Sequence, residues 1–223
     1  MEHRIAFLGD LHLANFSRFG GKSVAGLNDR AALTLASLLD ALTQCFSKGI
    51  KHVVLLGDVF DSDRPEPALI HALARVLHGF ADMNIDLLVG NHDMTSTAEH
   101  HHALSPFNYL TTNVGVYGLQ EGHDAYMDGL DIGLLPWGPE PILDRVENFL
   151  KTTHVKTLCL HAGLFDAGSV RRGDGPHDVP DACDVEKLSR ICEHHRVSRV
   201  YAGHWHHSGT WLRHGVILHQ VGA

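Results

Sequence analysis

Short apolar runs recur along this chain, and most of them close on a glycine followed by a polar or ionisable side chain. They read RIAFLGDLH from Arg4, HVVLLGDVFD from His52, IDLLVGNHD from Ile85, VKTLCLHAG from Val155 and VSRVYAGHWHH from Val197. Apolar stretches of about four to eight residues closed by glycine are the signature of buried strands. Between them the apolar spacing changes to the helical period. Asn28 to Gly49 opens on Asn-Asp, repeats apolar residues at helical spacing and stops at glycine, which predicts a helix. The stretch RPEPALIHALARVLHGF starts on prolines, which suit a first helical turn, and continues through Leu69, Leu73, Val76 and Leu77. Gly138 to Lys151 and Asp184 to His195 predict two more helices.

Strands alternating with helices imply an α/β fold. The final stretch, HHSGTWLRHGVILHQVGA, reads instead as a hairpin turning at Arg213–Gly215, so the sheet is expected to be mixed. Asp166 to Ala182 is one long Gly/Pro/Asp-rich loop, and loops of that length are usually functional or mobile. No repeat or low-complexity segment interrupts the chain.

Composition narrows this further. At 223 residues, 44% hydrophobic and 20% charged, the chain is expected to form a single globular domain over residues 1–223. The formal charge of −8 argues against a broad basic surface for nucleic acid, but not against a local basic groove or bound cations. Cys45, Cys159, Cys183 and Cys192 lack metal or disulfide spacing and read as reduced packing residues. With no apolar leader and no apolar stretch long enough to span a bilayer, no membrane partner is expected and the expected compartment is the cytoplasm.

The 20 histidines matter through their placement. The strand ends carry Asp10-x-His12, Gly57-Asp58, Asn91-His92, His161 and Gly203-His204-x-His206. Strand carboxyl ends line the crevice in open α/β sheets, so these side chains should converge. Alternation along an extended segment would put Asp10 and His12, and likewise His204 and His206, on one side, and His207 on the other. Two carboxylates, one amide and four imidazoles, with His92 to spare, are too many donors for one ion. They suit two ions sharing a bridging carboxylate, a geometry that holds the ions roughly 3.5–4 Å apart. Imidazole and carboxylate without thiolate suit Mn, Fe or Zn better than copper(I) or an iron–sulfur cluster, and two Mn ions are the expected pair.

The series Asp10-x-His12, Gly57-Asp58, Gly90-Asn91-His92-Asp93, His161 and Gly203-His204-x-His206 resembles the calcineurin-like metallophosphoesterase superfamily, and it spans nearly the whole chain. The resemblance implies a four-layer αββα sandwich of two β-sheets flanked by helices, with a dinuclear centre at one edge. It implies that Asp10, His12 and His206 hold one metal, that Asn91, His161 and His204 hold the other, and that Asp58 bridges. His92 would be the catalytic histidine, outside the direct ligands, and the reaction a direct hydrolysis by water activated between the metals.

Within that superfamily, Gly57 to Pro65 and Gly90 to Asp93 are similar to SbcD-type DNA repair nucleases and their bacteriophage relatives. That likeness implies a nuclease with DNA as its substrate. The chain ends at Ala223 without the cap or the ATPase-binding segment of those proteins, so an SbcC-like ATPase partner is not expected. The alternative substrates are small nucleotides or phosphoproteins. A non-catalytic scaffold is disfavoured because every ligand position and His92 are present. Phe16, Arg18, Phe19 and Lys22 beside the first ligand pair, and Arg171 and Arg172 in the long loop, are candidate substrate contacts, with a solvated loop as the plainer reading. Among His100, His101 and His102 a surface role is expected, with room for one to touch the scissile phosphate. Tyr201, Trp205 and Trp211 are expected to pack around the last strands.

Overall fold

The structure is a computed structural model that describes residues 4–94, 101–118, 125–127, 130–167 and 182–222. A first sheet contains four parallel strands. In spatial order these are β1 (Ile5–Leu8), β4 (His52–Leu55), β5 (Asn84–Leu88) and β6 (Val114–Tyr117). The second sheet has six strands in the order β13 (Gly209–Arg213), β14 (Val216–Gln220), β12 (Arg199–Gly203), β9 (Thr157–His161), β8 (Ile132–Leu135) and β7 (Ala125–Met127). Its four central strands are parallel, while β13 and β7 run antiparallel at the edges. Two small ladders complete the strands: β2 (Ser23–Val24) with β3 (Leu27–Asn28), and β10 (Gly163–Phe165) with β11 (Ala182–Asp184).

The helices are α1 (Asp29–Ser47), α2 (Pro67–His78), α3 (Phe107–Leu110), α4 (Ile142–Thr152) and α5 (Val185–His194). Asn28 caps α1 by accepting a hydrogen bond from the Ala31 N–H, and Asp184 caps α5 through the Glu186 N–H. The buried stripe of α1, Leu35, Leu38, Leu42 and Cys45, meets Leu69, Leu73 and Leu77 of α2 on the outer face of the first sheet. On the second sheet, Val146, Phe149 and Leu150 of α4 and Leu188 and Cys192 of α5 cover Leu158, Leu160, Val200 and Leu218.

Strand alternation turns these two helix-covered faces into four layers. Val53 and Leu55 point to the helices, whereas Val54 and Leu56 point to the opposite sheet. There they meet Leu88, Ile132, Leu134 and Cys159 in an apolar layer between the sheets. Helix, sheet, sheet, helix is the expected sandwich, and the second sheet is mixed as the terminal hairpin implied. The four cysteines are buried and unpaired. Among the described residues no helix is long and apolar enough to cross a membrane.

The patterns over VGVY and IGLL carried no strand expectation, yet they form β6 and β8. Each is four residues long with glycine inside, too short for periodicity to declare itself. Tyr201 stacks between Phe7 (ring centroids 3.9 Å apart) and His219 (4.9 Å), and Trp205 lies against Gly163 and Phe165, so both pack as expected. Trp211 rests on the core of the second sheet. Arg171, Arg172, His100 and most of the loop from Asp166 to Ala182 lie outside the described residues.

Candidate metal centre

Seven of the eight expected site residues stand on loops that leave the carboxyl ends of strands in the two sheets, and His161 is the last residue of β9 itself. Asp10, His12, Asp58, His92, His204 and His206 line one open cavity of about 430 Å3. His161 is fully buried behind them, at the end of β9, and Asn91 bridges the two parts.

Strand alternation is not what brings the pairs together. β1 ends at Leu8, before Asp10, and His204 to His206 follow the end of β12 as a bend. His12, Asp58 and His204 adopt positive φ angles of 44°, 46° and 90°, a region that side chains other than glycine rarely occupy. Hydrogen bonds between loops fix these turns. The Asp58 carbonyl accepts from the backbone N–H groups of Leu11 (3.0 Å) and His12 (2.9 Å). The buried Asp93 carboxylate accepts from Val59, Phe60 and Gly90 N–H at 2.9–3.2 Å, which ties the third loop to the second. The Asp10 carboxylate accepts from the His204 N–H (3.0 Å), and so joins the two sheets.

Glycines make room for these contacts. A Cβ on Gly57, whose φ is +105°, would run into the His161 ring, and one on Gly90 would meet the Asp58 carboxylate. Close approach therefore requires both glycines, and Gly57 also supplies the positive φ of its turn.

At the centre, Asp58 Oδ2 lies 3.3 Å from His161 Nε2 and 3.7 Å from His12 Nε2. Burial alone would raise the Asp58 carboxyl, but the His161 hydrogen bond and charge and the His92 N–H outweigh it and hold it below the ordinary value. Burial alone would depress His161, yet Asp58 and then Asp10 lift it to about 9. Burial dominates at Asp10, which is raised, and at His12, which is lowered. Asp93, wholly enclosed, is pushed up to about 7 by burial against the opposing backbone N–H bonds.

The donor chemistry tests whether cations fit. His12 Nε2 faces His206 Nε2 at 2.9 Å, and Asn91 Oδ1 stands 3.0 Å from both His161 Nε2 and His204 Nδ1. Two groups of side chains bring ligand atoms within 4.8 Å of one another: His12, Asp58 and His92, and Asp58, His161 and His204. The groups share Asp58 and contain only oxygen and imidazole nitrogen, which fits a pair of divalent cations. His161 Nδ1 is engaged by the Leu56 carbonyl (2.7 Å), which leaves Nε2 toward the centre. Asp10 lines the cavity with His12 and also reaches the second group, where its carboxylate accepts from the His204 N–H and lies 3.6 Å from His161 Nδ1.

Two further residues complete the surroundings, and sequence reading assigned neither of them. Asp61 Oδ1 lies 3.0 Å from His12 Nδ1, and its carbonyl oxygen lies 3.2 Å from His92 Nδ1. Its position three residues after Asp58 in GDVFD was the available signal. Arg30 and Phe16 line the cavity, with the guanidinium carbon 3.9 Å from the ring centroid. Phe16 was singled out from sequence, whereas Arg18, Phe19 and Lys22 are exposed and lie outside the cavity lining. His102 is buried beside Gly118 and does not line the cavity either. His207 is exposed, with its ring near Trp205.

The fold is similar to that of a dimetal phosphatase from Danio rerio, with 13% identity, a TM-score of 0.56, and 97% of this chain and 86% of that one covered. A purple acid phosphatase from yellow lupin (Lupinus luteus) seeds matches at 14% identity and TM-score 0.57, over 99% of this chain and 44% of that one. A putative 5'-nucleotidase from Staphylococcus aureus matches at 14% and 0.56, over 98% and 48%. The chain thus spans less than half the length of the last two. Residues 3–208 match the calcineurin-like phosphoesterase family, and that match takes in every loop that builds the centre: the chain belongs to the calcineurin-like phosphoesterase family.

Proposed function

We propose that the chain is a dinuclear metal-dependent phosphodiesterase, and that its substrate is DNA. The observation that carries the reading is the position of Asp58 between the two donor groups, within 3.7 Å of His12 on one side and 3.3 Å of His161 on the other. Asp10, His12 and His206 would hold one cation, Asn91, His161 and His204 the other, and Asp58 both. Manganese suits this donor set, with iron or zinc as alternatives. Bound cations would supply Lewis acidity toward phosphoryl oxygens and acidify water between them.

The chain's own groups do the rest. His92 lines the cavity, and its side chain is 43% exposed, so it can reach a substrate. Its Nδ1–H can donate to the Asp61 carbonyl, and in the imidazolium form the Nε2–H is then left to protonate the departing oxygen, which returns the ring to its neutral form. Its backbone N–H donates to Asp58 Oδ1 (2.9 Å), which ties the loop that carries the proton donor to the loop that carries the bridging carboxylate. Asp61 fixes the His12 ring, which presents Nε2 inward.

An open cavity supports a polymeric or extended substrate over one that must be enclosed, and the SbcD-like residues Gly57 to Pro65 point to DNA. The second reading, a phosphatase or small-nucleotide esterase, is supported by structural neighbours described as phosphatases and a putative 5'-nucleotidase. One comparison separates them. Manganese-loaded protein is incubated with labelled single- and double-stranded DNA, bis-p-nitrophenyl phosphate and p-nitrophenyl phosphate. DNA and diester cleavage is expected; diester or monoester cleavage with intact DNA would remove the nuclease reading and leave the esterase one.

A further inference from the structure

The cavity that holds the imidazoles is also lined by residues that no ligand role uses. The Arg30 guanidinium lies over the Phe16 ring at 3.9 Å, and both side chains line the same cavity as His12 and His206. The pair comes from two separate segments, the loop after the first ligand pair and the first turn of α1. Asn28 locks them together. Its buried side chain caps α1 through the Ala31 N–H (2.9 Å) and donates to the Phe16 carbonyl (2.9 Å). Its own N–H donates to Asn15 Oδ1 (2.9 Å), and Asn15 in turn donates to the Gly26 carbonyl (2.8 Å) and to Glu66 (2.6 Å).

Stacking on a ring uses the face of a guanidinium and leaves its N–H edges available. Among the described residues no carboxylate lies within ion-pair distance of Arg30, even though the chain as a whole is acidic. A planar fork of donors, pre-set beside a phosphoester centre and not already neutralised, matches the oxygens of a phosphate. The cavity, at about 430 Å3, is in the range that holds a nucleotide-sized ligand, far more than a single phosphoryl group occupies.

We infer that Arg30, held on Phe16, binds the phosphate next to the scissile one and makes the centre selective for substrates that carry two neighbouring phosphates. The inference rests on the phosphodiesterase reading of the metal centre and names the part of the substrate recognised beyond the reacting group. Arg30 is on this account a specificity residue, and Phe16 its positioning residue.

The test uses two chromogenic esters with the same leaving group, thymidine 5′-(p-nitrophenyl phosphate) and its counterpart phosphorylated at the 3′ oxygen. The manganese-loaded wild type is expected to favour the second in kcat/KM. Arg30→Ala should shrink that preference by about 10- to 100-fold, the scale of losing one charge-assisted hydrogen-bonding partner. Arg30→Lys, which keeps the charge without the planar fork, should give an intermediate value, as should Phe16→Ala. Arg18→Ala, outside the cavity, should keep the wild-type preference. A partly unfolded preparation lowers both rates alike and leaves their ratio as it was.

A second readout needs no turnover. Calorimetric titration with thymidine 3′,5′-bisphosphate and thymidine 5′-phosphate should show the same loss of discrimination in Arg30→Ala. A wild type without preference by either measure, or an Arg30→Ala ratio equal to wild type, overturns the assignment. The outcomes also separate the two readings. If DNA stays intact while the preference behaves as described, the nuclease reading falls and the Arg30 site stands. If DNA is cut and the ratio does not move, the Arg30 site falls alone.

Discussion

Asp61 Oδ1 lies 3.0 Å from Nδ1 of His12, so the carboxylate holds one nitrogen of that ring and turns the other toward Asp58 and His206. Carboxylates that orient a metal-binding imidazole typically affect metal affinity by about 10- to 100-fold when removed. Asp61→Ala is therefore expected to weaken binding of one of the two cations by about that factor. Asp61→Asn, which keeps an oxygen acceptor for an Nδ1–H, should cost less. Equilibrium dialysis against manganese reads both. Two unchanged sites in Asp61→Ala would show that the contact orients nothing.

His92 sits next to His12, with ring centroids 4.8 Å apart, but its Nδ1 is taken by the Asp61 carbonyl. On the proposed assignment it donates a proton and holds no cation. His92→Ala should keep both cations and lose about 10²- to 10⁴-fold in kcat, the usual range for a general acid. The loss should be larger for an alkoxide leaving group than for p-nitrophenolate, which needs little protonation. Loss of a cation in His92→Ala would instead make His92 a ligand, as its proximity to His12 and Asp58 permits.

Asp58 belongs to both donor groups, so its removal cannot spare either. Asp58→Ala should bind neither cation tightly and should have almost no activity. Any ligand that binds only the folded state raises thermal stability by mass action. Wild type should therefore melt at a higher temperature with added manganese, and Asp58→Ala should gain much less. A full thermal shift in the variant would place the cations elsewhere.

Between the two sheets, Asp86 on β5 faces Gly115 and the Tyr117 hydroxyl, and its Oδ2 has no hydrogen-bond partner among the described residues. Burial raises its carboxyl to about 6 against a partly opposing bond from Tyr117. Because the folded pKa lies above the unfolded one, the folded chain keeps this proton while the unfolded chain releases it. The stability it contributes is full below the unfolded value of 3.8 and is lost as pH rises through about 6. The shift corresponds to about 3 kcal/mol. Asp86→Asn cannot ionise. Its stability relative to wild type should therefore improve by up to that amount between pH 4 and pH 7, measured by urea unfolding with chelator present. A difference that stays constant with pH would contradict a buried ionisable Asp86.

Much of the scaffold was legible because its signals are local. The runs at Arg4, His52, Ile85, Val155 and Val197 form strands, and the four helical patterns form α1, α2, α4 and α5 with Asn28 and Asp184 as caps. Strands β6 and β8 were not legible, since four residues with an internal glycine owe their strand geometry to the neighbours that pair with them. Arg30 escaped notice for a related reason. Nothing in its local sequence distinguishes it from any charged residue on a helix's first turn, and only the fold of the preceding loop lays it on Phe16.

The sequence by itself determined the kinds of donors, their order and the glycines beside them, because residue chemistry and backbone freedom are properties of single positions. Only the tertiary structure decided how those donors meet. The turns at His12, Asp58 and His204 hold unfavourable backbone angles that no local preference would select. They persist because Asp93, Asp10 and the Asp58 carbonyl bind loops from both sheets to one another, and bonds of that kind exist only once distant segments have packed.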